Sequence, residues 1–502
     1  MNRRRKLVLN TVSSLVKQFV SVICAFILPR LFLTHYGSDV NGLVASITQF
    51  ISLISVFDAG MGVVIEASLY KPLADNNRQG ISEVMTSGQR FYNKFVQILF
   101  VYVVLLAIVY PYISCEKFEF IFTCTLVLAI SISSFGQYAL GVTSSVLLSA
   151  DQKSYINFWA YTITTILNTV IGAVLIYGGA SVHVVKLASS IIFLIRPVIL
   201  TLYVKRNYEV NWHEKYNVEP IKQKWNGFAQ HIAALVVGNT DVVVLTLFSA
   251  LSNVSVYSVY FLVITSVKEI INATTAGIKS LLGEMIAKQQ KERLASAFDL
   301  IEWGMHLLIT LLFSLTAVLI LPFILVYTNG VNDANYNVPV FAVLLSVAYM
   351  IFCLRIPYFV VIQAAGHFKE TQCSAIIEAA INIIVSVVAV FKFGLIGVAV
   401  GTIIAMFYRL VYLVLYLRNS ILLRNCSIFV KNVIIDVLCF LVVFVTFKNI
   451  TLHSYTYFEW VKYAINSSIV GTLECLLINI IFYNSNVIKA ISYFKQRKLQ
   501  ND

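Results

Sequence analysis

Fourteen apolar stretches, each long enough to cross a lipid bilayer, follow one another along this chain and leave few folds open. A transmembrane helix needs about 20 mostly apolar residues. The stretches fall at about 7–33, 41–66, 91–113, 119–149, 155–177, 182–204, 228–249, 254–283, 299–327, 338–364, 370–392, 395–417, 428–447 and 460–484. They are continuously apolar and do not alternate in ten-residue units, which excludes a membrane β-barrel. Of the 502 residues, 59% are hydrophobic and only 12% are charged. The chain is therefore expected to be an all-α polytopic membrane protein with about 14 transmembrane helices.

The net charge of +13 would suggest nucleic acid on a soluble protein, but here it is topological. Residues at span ends can be counted with the adjoining loop. On that basis 25 of the 37 Lys and Arg fall on the side of the N-terminus, four on the other side and eight within spans. Positive charge collects in cytoplasmic loops, so both termini are expected in the cytoplasm. Met1 to Lys6 resembles the start of a signal peptide, but the apolar run behind it is too long for one. The eight cysteines are scattered, most of them within spans (Cys24, Cys124, Cys353, Cys439 and Cys475 among them). They form no metal-ligand pattern and read as packing residues. No cofactor or metal is expected.

An internal repeat divides the spans. At an offset of 214, Leu31, Leu33, Ser38, Val40, Ser52 and Ala59 meet Leu245, Leu247, Ser252, Val254, Ser266 and Ala273. Asp39 then meets Asn253, and Asp58 meets Asn272. At an offset of 213, Arg196 meets Arg409 and Tyr203 meets Tyr416. Six helices per copy give two lobes of the same orientation, related by a pseudo-two-fold along the membrane normal, with a site between them. The expected organisation is an N-terminal lobe 1–204, a cytoplasmic linker 205–227, a C-terminal lobe 228–417, and two further helices with a cytoplasmic tail over 418–502.

Charges at bilayer depth cost about 2.5–3.5 kcal/mol each and mark functional positions. The first span carries a polar stripe of Asn10, Ser14, Lys17 and Ser21, with Arg30 further along after Pro29. The second carries Thr48, Ser52, Ser55, Asp58 and Gly62. The seventh aligns Gln230, Ala234, Gly238 and Asp241, and the eighth aligns Thr265, Lys268, Glu269, Asn272 and Lys279. Lys186, Arg196, Arg355, Glu378 and Arg409 are further members. The expected cavity-lining set is Lys17, Arg30, Asp58, Asp241, Lys268, Lys279 and Arg355. Ion coupling or gating falls to Asp58, Asp241, Glu269 and Glu378. On the alternative reading the charges pair internally as structural locks, for example Lys17 with Asp58 and Glu378 with Arg355. An excess of cations suits an anionic substrate such as a diphosphate.

Several runs in the first hairpin carry a resemblance. They are Leu28-Pro29-Arg30, the segment Tyr36-Gly37-Ser38-Asp39-Val40-Asn41-Gly42-Leu43, the segment Phe57-Asp58-Ala59-Gly60-Met61-Gly62, and Leu69-Tyr70-Lys71-Pro72-Leu73-Ala74. Together they resemble bacterial polysaccharide repeat-unit flippases: the O-antigen, capsule and exopolysaccharide transporters of the multidrug/oligosaccharidyl-lipid/polysaccharide (MOP) exporter superfamily. The resemblance implies a non-enzymatic flippase acting in polysaccharide or lipopolysaccharide biosynthesis. It would move undecaprenyl-diphosphate-linked oligosaccharide across the bacterial inner membrane by alternating access through a cationic cavity. Membrane lipids, the polysaccharide polymerase and the chain-length machinery would be its partners, and nucleic acid would not. Two alternatives stay open: a cation-coupled multidrug or metabolite antiporter of the same superfamily, and a membrane polysaccharide polymerase or glycosyltransferase. The short external loops, about 328–337 and 448–459, disfavour the enzyme, and no Walker, GxSxG or HExxH motif occurs.

Overall fold

The computed structural model describes residues 3–484 apart from positions 57, 59, 115, 116, 213, 215, 217, 218, 222–227, 423, 449–451 and 453. Among the described residues there are sixteen α-helices and no strand. They are α1 (Arg3–Ser52), α2 (Met61–Ala74), α3 (Arg78–Ser114), α4 (Phe120–Gly136), α5 (Val142–Ala150), α6 (Ser154–Tyr177), α7 (Val182–Asn207) and α8 (Phe228–Phe248). Then come α9 (Leu251–Ala287), α10 (Lys291–Tyr327), α11 (Pro339–Leu354), α12 (Ile356–Ala364), α13 (Phe368–Phe393), α14 (Leu395–Leu417), α15 (Ser427–Phe447) and α16 (Tyr457–Phe482).

Twelve stretches of described helix are long and apolar enough to cross a membrane. Two further crossings complete the expected fourteen. The α1 helix contains two spans, because its backbone breaks at Gly37, where φ is 82° and ψ is 173°. Residues with a Cβ avoid that conformation, so the turn of the first hairpin is fixed by a single glycine. The α8 helix is apolar but shorter, over Ile232–Phe248.

Three spans are broken where local chemistry forbids a regular helix. The second loses its α-helix at Ser52, tightens through a 3-10 turn over Leu53–Val56, and restarts after Gly60, whose φ is 73°. The fourth carries a π-turn over Gln137–Gly141 between α4 and α5. The tenth breaks at Arg355 between α11 and α12. There Pro357 has no N–H to continue the ladder of α11.

The described chain divides into two compact units, Met1–Leu235 and Val236–Asp502. In the first unit α6 packs on α1 and α7, α4 on α3 and α7, and α2 on α3 and α5. The segment after α7 folds back on α3: Thr86 donates to the Asn211 carbonyl at 3.1 Å, and the Asn211 amide donates to Ser82 at 3.0 Å. In the second unit α10 touches α9, α11, α15 and α16, while α14 packs on α11 and α13. The α15–α16 pair joins α10 through an apolar cluster of Leu315, Val318, Ile435, Cys439, Val443 and Cys475.

The surface is inverted relative to a water-soluble protein. Large apolar side chains point outward on many helices, among them Phe19 (70% exposed), Ile121 (72%), Val388 (69%) and Ile481 (73%). Charged and polar groups such as Asp241, Glu302, Glu378, Arg409 and Asp436 are buried. This is the distribution that a hydrocarbon solvent imposes.

Candidate functional site

In the first unit the break of the second span places Asp58 at a turn rather than inside a helix. The phenol of Tyr92 on α3 donates to its Oδ1 at 2.8 Å. Asp58 then lines a cavity of about 430 Å³ with Gln137, Tyr138, Ser145, Tyr161 and Arg196. The π-turn at Gln137–Gly141 makes room there, since a bulge widens a helix and releases backbone groups. Arg196, on α7, donates from Nε to Asn157 Oδ1 at 2.9 Å and stands 5.3 Å from the centre of the Tyr161 ring. Lys17, on α1, approaches the same ring at 4.8 Å and that of Phe158 at 5.5 Å. A pairing of Lys17 with Asp58 does not occur; the ammonium is held by aromatic faces. Arg30 lies on α1, one residue past Pro29. Lys186 stands 4.4 Å from the Phe32 ring.

In the second unit Asp241, on α8, is 4% exposed. It accepts from Tyr257 Oη at 2.8 Å and from Thr402 Oγ1 at 2.9 Å, and Asn382 Nδ2 donates to the same threonine oxygen at 3.2 Å. The Asn382 Oδ1 atom is buried without a hydrogen-bond partner. Three helices thus bring a carboxylate, a hydroxyl and an amide nitrogen together, and the buried carboxylate is held by donors from its neighbours.

Lys268 and Glu269 lie on α9. The Lys268 ammonium is 5.4 Å from the Phe352 ring and 6.0 Å from that of Tyr349, and Asn272 Nδ2 donates to Glu269 Oε1 at 3.3 Å. The side chain of Lys279 lies outside the described residues, as does that of Gln230. Arg355, at the helix break, forms an ion pair with Glu378 of α13 and stands 4.1 Å from the Phe352 ring. The other oxygen of Glu378 lies 3.6 Å from Arg409 Nε. Arg409 is 3% exposed and also donates to the Thr371 carbonyl at 2.9 Å and to the Ser374 hydroxyl.

The cations therefore sort into two kinds. Arg355 and Arg409 share the single carboxylate of Glu378. Lys17 and Lys268 meet aromatic rings, and among the described side chains neither has a carboxylate within ion-pair distance. Ring faces hold an ammonium without supplying a counter-charge, which leaves its donors available to an anion.

One cluster escaped the sequence reading. Glu302, His306 and Thr310 of α10 meet Tyr358 of α12, Asp436 of α15 and Arg424 in a buried hydrogen-bonded network. Its sequence signal was the i, i+4, i+8 spacing of Glu302, His306 and Thr310 within an apolar span, with Asp436 alone in another. Neither looked like part of a set until the helices were packed.

No family model matches the chain, and no curated protein sequence does. Solved structures do match. A lipid II flippase, MurJ, in an inward closed conformation superimposes with a TM-score of 0.70 at 16% identity, over 95% of this chain and 100% of its own. An inward-facing multidrug resistance transporter of the MATE family, in the MOP superfamily, gives 0.61 at 14% identity over 80% of this chain and 96% of its own. A MOP superfamily transporter from Pyrococcus furiosus gives 0.56 at 14% identity, over 85% and 98%. The chain has the fold of these transporters, that of the lipid II flippase and the multidrug exporters of the MOP superfamily.

Proposed function

We propose that this protein is a lipid-linked oligosaccharide flippase. It moves undecaprenyl-diphosphate-linked polysaccharide repeat units across the bacterial cytoplasmic membrane by alternating access of its two units, with both termini in the cytoplasm. The observation that carries the reading is the pair Lys17 and Lys268, each within an apolar span, against aromatic rings and without a carboxylate partner among the described residues. Such positions hold an anion rather than lock a helix, and a diphosphate is the anion that a lipid-linked sugar presents. Arg30 lies on the same helix as Lys17, and Lys279 on the same helix as Lys268. The extent of the structural likeness supports a flippase over a drug exporter. It reaches 95% of this chain for the lipid II flippase and 80% for the MATE transporter.

Asp241 is assigned to cation coupling, because it is a buried carboxylate within an apolar helix, held by Tyr257 and Thr402. Asp58 is assigned to the same class, as the carboxylate facing the cavity beneath the π-turn. Glu378 is assigned to gating, since it bridges the arginine at a helix break and the arginine of a neighbouring helix. Glu269 remains an accessory carboxylate on α9.

The test is a deletion strain in which surface polysaccharide and lipid-linked intermediates are analysed together. Loss of polysaccharide with undecaprenyl-diphosphate oligosaccharide accumulating on the cytoplasmic face is expected, with rescue by the wild type and not by Lys17→Ala, Arg30→Ala or Lys268→Ala. Unchanged polysaccharide with altered sensitivity to cationic compounds would overturn the reading and favour the antiporter, for which Asp58 and its cavity are the matching observation.

A further inference from the structure

Four side chains of the second unit form an unbroken line of hydrogen bonds. Asp436 Oδ2 lies 2.6 Å from His306 Nδ1, His306 Nε2 lies 3.0 Å from Tyr358 Oη, and Tyr358 Oη lies 2.5 Å from Glu302 Oε1. The outer carboxylate oxygens are occupied. Thr310 donates to Asp436 Oδ1 at 2.7 Å, and Arg424 donates to Glu302 Oε2. All four members are buried, Glu302 completely, with Tyr358 at 1%, His306 at 3% and Asp436 at 5%. Phe298 and Phe429 wall the site.

Each of the three inner hydrogen bonds needs one proton between its heavy atoms. The tyrosine supplies one and a neutral imidazole supplies another. With both carboxylates ionised, three bonds share two protons, and one pair of buried lone pairs would face each other. We infer that this cluster is a proton-binding site, holding a third, dissociable proton shared by Asp436, His306 and Glu302 through Tyr358. On His306 the proton makes an imidazolium that donates to both neighbours. On Glu302 the carboxyl donates to Tyr358, which turns to donate to Nε2. On Asp436 the carboxyl donates to Nδ1, and Nε2 carries the imidazole proton. All three arrangements satisfy every contact. The proton comes from water and returns to it, and no electrons move.

Charge points the same way. With the third proton, the two carboxylates are balanced by Arg424 and that proton. Without it, a net negative charge stays buried, which a low-dielectric interior penalises. At the outer end Arg424 also pairs with Asp299 at 2.6 Å, whose side chain is 49% exposed, so the site reaches the protein surface. The other titratable groups facing it are Cys439 on α15, Cys475 on α16 and Tyr483, whose ring Lys431 covers at 4.5 Å.

Tyr358 lies on α12, three residues past the break at Arg355. Loss of the proton removes one of the two hydrogen bonds by which Tyr358 ties α12 to α10. The proton count is independent of the transporter reading. Its use, as a bound proton whose release frees α12 and lets a proton gradient act on the carrier, rests on that reading.

The full chain in lipid nanodiscs at pH 8 tests the count without any transport assay. Nitrogen-15 histidine NMR reads the charge of His306, assigned by the signal lost in His306→Gln. Infrared spectroscopy reads a protonated carboxyl, assigned by the band lost in Glu302→Gln or Asp436→Asn. The wild type is expected to show one or the other, an imidazolium or one such carboxylic acid. In Tyr358→Phe the line is cut between His306 and Glu302, so a retained proton should stay on the Asp436–His306 pair and the carboxyl band assigned by Glu302→Gln should be absent. A neutral His306 with neither carboxyl protonated in the wild type at pH 8 overturns the proposal, and so does a Glu302 carboxyl band that persists in Tyr358→Phe. Should that variant fail to fold, the wild-type spectra decide alone.

Discussion

Single residues here act through their partners rather than through their identity. Arg355 and Lys268 are both cations in apolar spans, yet Arg355 has Glu378 and Lys268 has two rings. Removing Glu378 by substitution to Ala leaves Arg409 buried and unpaired, and should cost about 3–5 kcal/mol, seen as a lower melting temperature in detergent. Lys17→Ala forfeits a cation–π contact of about 0.5–2 kcal/mol and should leave folding nearly intact while transport fails. Gly37→Ala forces a Cβ into backbone at φ 82° and should destabilise by about 1–3 kcal/mol in the same assay. Outside the spans, Asp151 is the residue with a pH signature. Burial pushes its carboxyl up, but hydrogen bonds from Lys153, Lys6 and Tyr208 outweigh that and hold it below its ordinary value of 3.8. A lowered folded value means stability that is present above pH 3.8 and lost as the pH falls through the folded value. Thermal melts on the acid side should show this loss in the wild type and not in Asp151→Asn.

At the scale of elements, the two blocks use one device twice. Arg196 of α7 reaches Asn157 of α6, and Arg409 of α14 reaches Thr371 and Ser374 of α13. These are the arginines that the sequence repeat aligned, and their partners 157 and 371 are again 214 positions apart. The last helix of each block is thus clasped to the one before it. The same offset carries Gly141, at the end of the π-turn, onto Arg355, at the break between α11 and α12. The clasp of α14 depends on a close approach to α13. A Cβ built on Gly401 would lie 2.7 Å from the Ser386 amide nitrogen, and one on Gly397 would lie 2.3 Å from the Ala389 carbonyl oxygen. Gly401→Val should therefore spread this hairpin and loosen Arg409, costing about 1–3 kcal/mol. A lower melting temperature, and no comparable loss for a valine at the open position Gly304, would check it.

For the molecule as a whole, α15 and α16 are not an appendage. They share an apolar cluster with α10, and Asp436 of α15 supplies one end of the buried line of hydrogen bonds. Truncation before Ser427 should leave His306 and Thr310 unsatisfied inside α10 and reduce the amount of folded protein in the membrane, measured by quantitative blotting after detergent extraction. Asp436→Asn keeps the volume and should fold.

Hydropathy alone determined that this is a polytopic helical protein with fourteen crossings, because a bilayer demands a run of apolar residues for each span and tolerates little else. The internal offset, and the charges worth examining at Lys17, Asp58, Asp241, Lys268, Arg355 and Glu378, were legible for the same reason: polar residues stand out against an apolar background. What each charge does was not legible. Distance in space separates a neutralised Arg355 from a Lys268 held by rings, and nothing in their sequence neighbourhoods does. The break of the second span at Asp58 and the π-turn near Gly141 were hidden, since continuous apolar sequence fits straight and broken helices alike. The Glu302–Tyr358–His306–Asp436 line was hidden most completely, for its members come from three helices up to 134 positions apart. A hydrogen bond exists only between atoms that packing has brought within about 3 Å, and packing is what the tertiary structure alone decides.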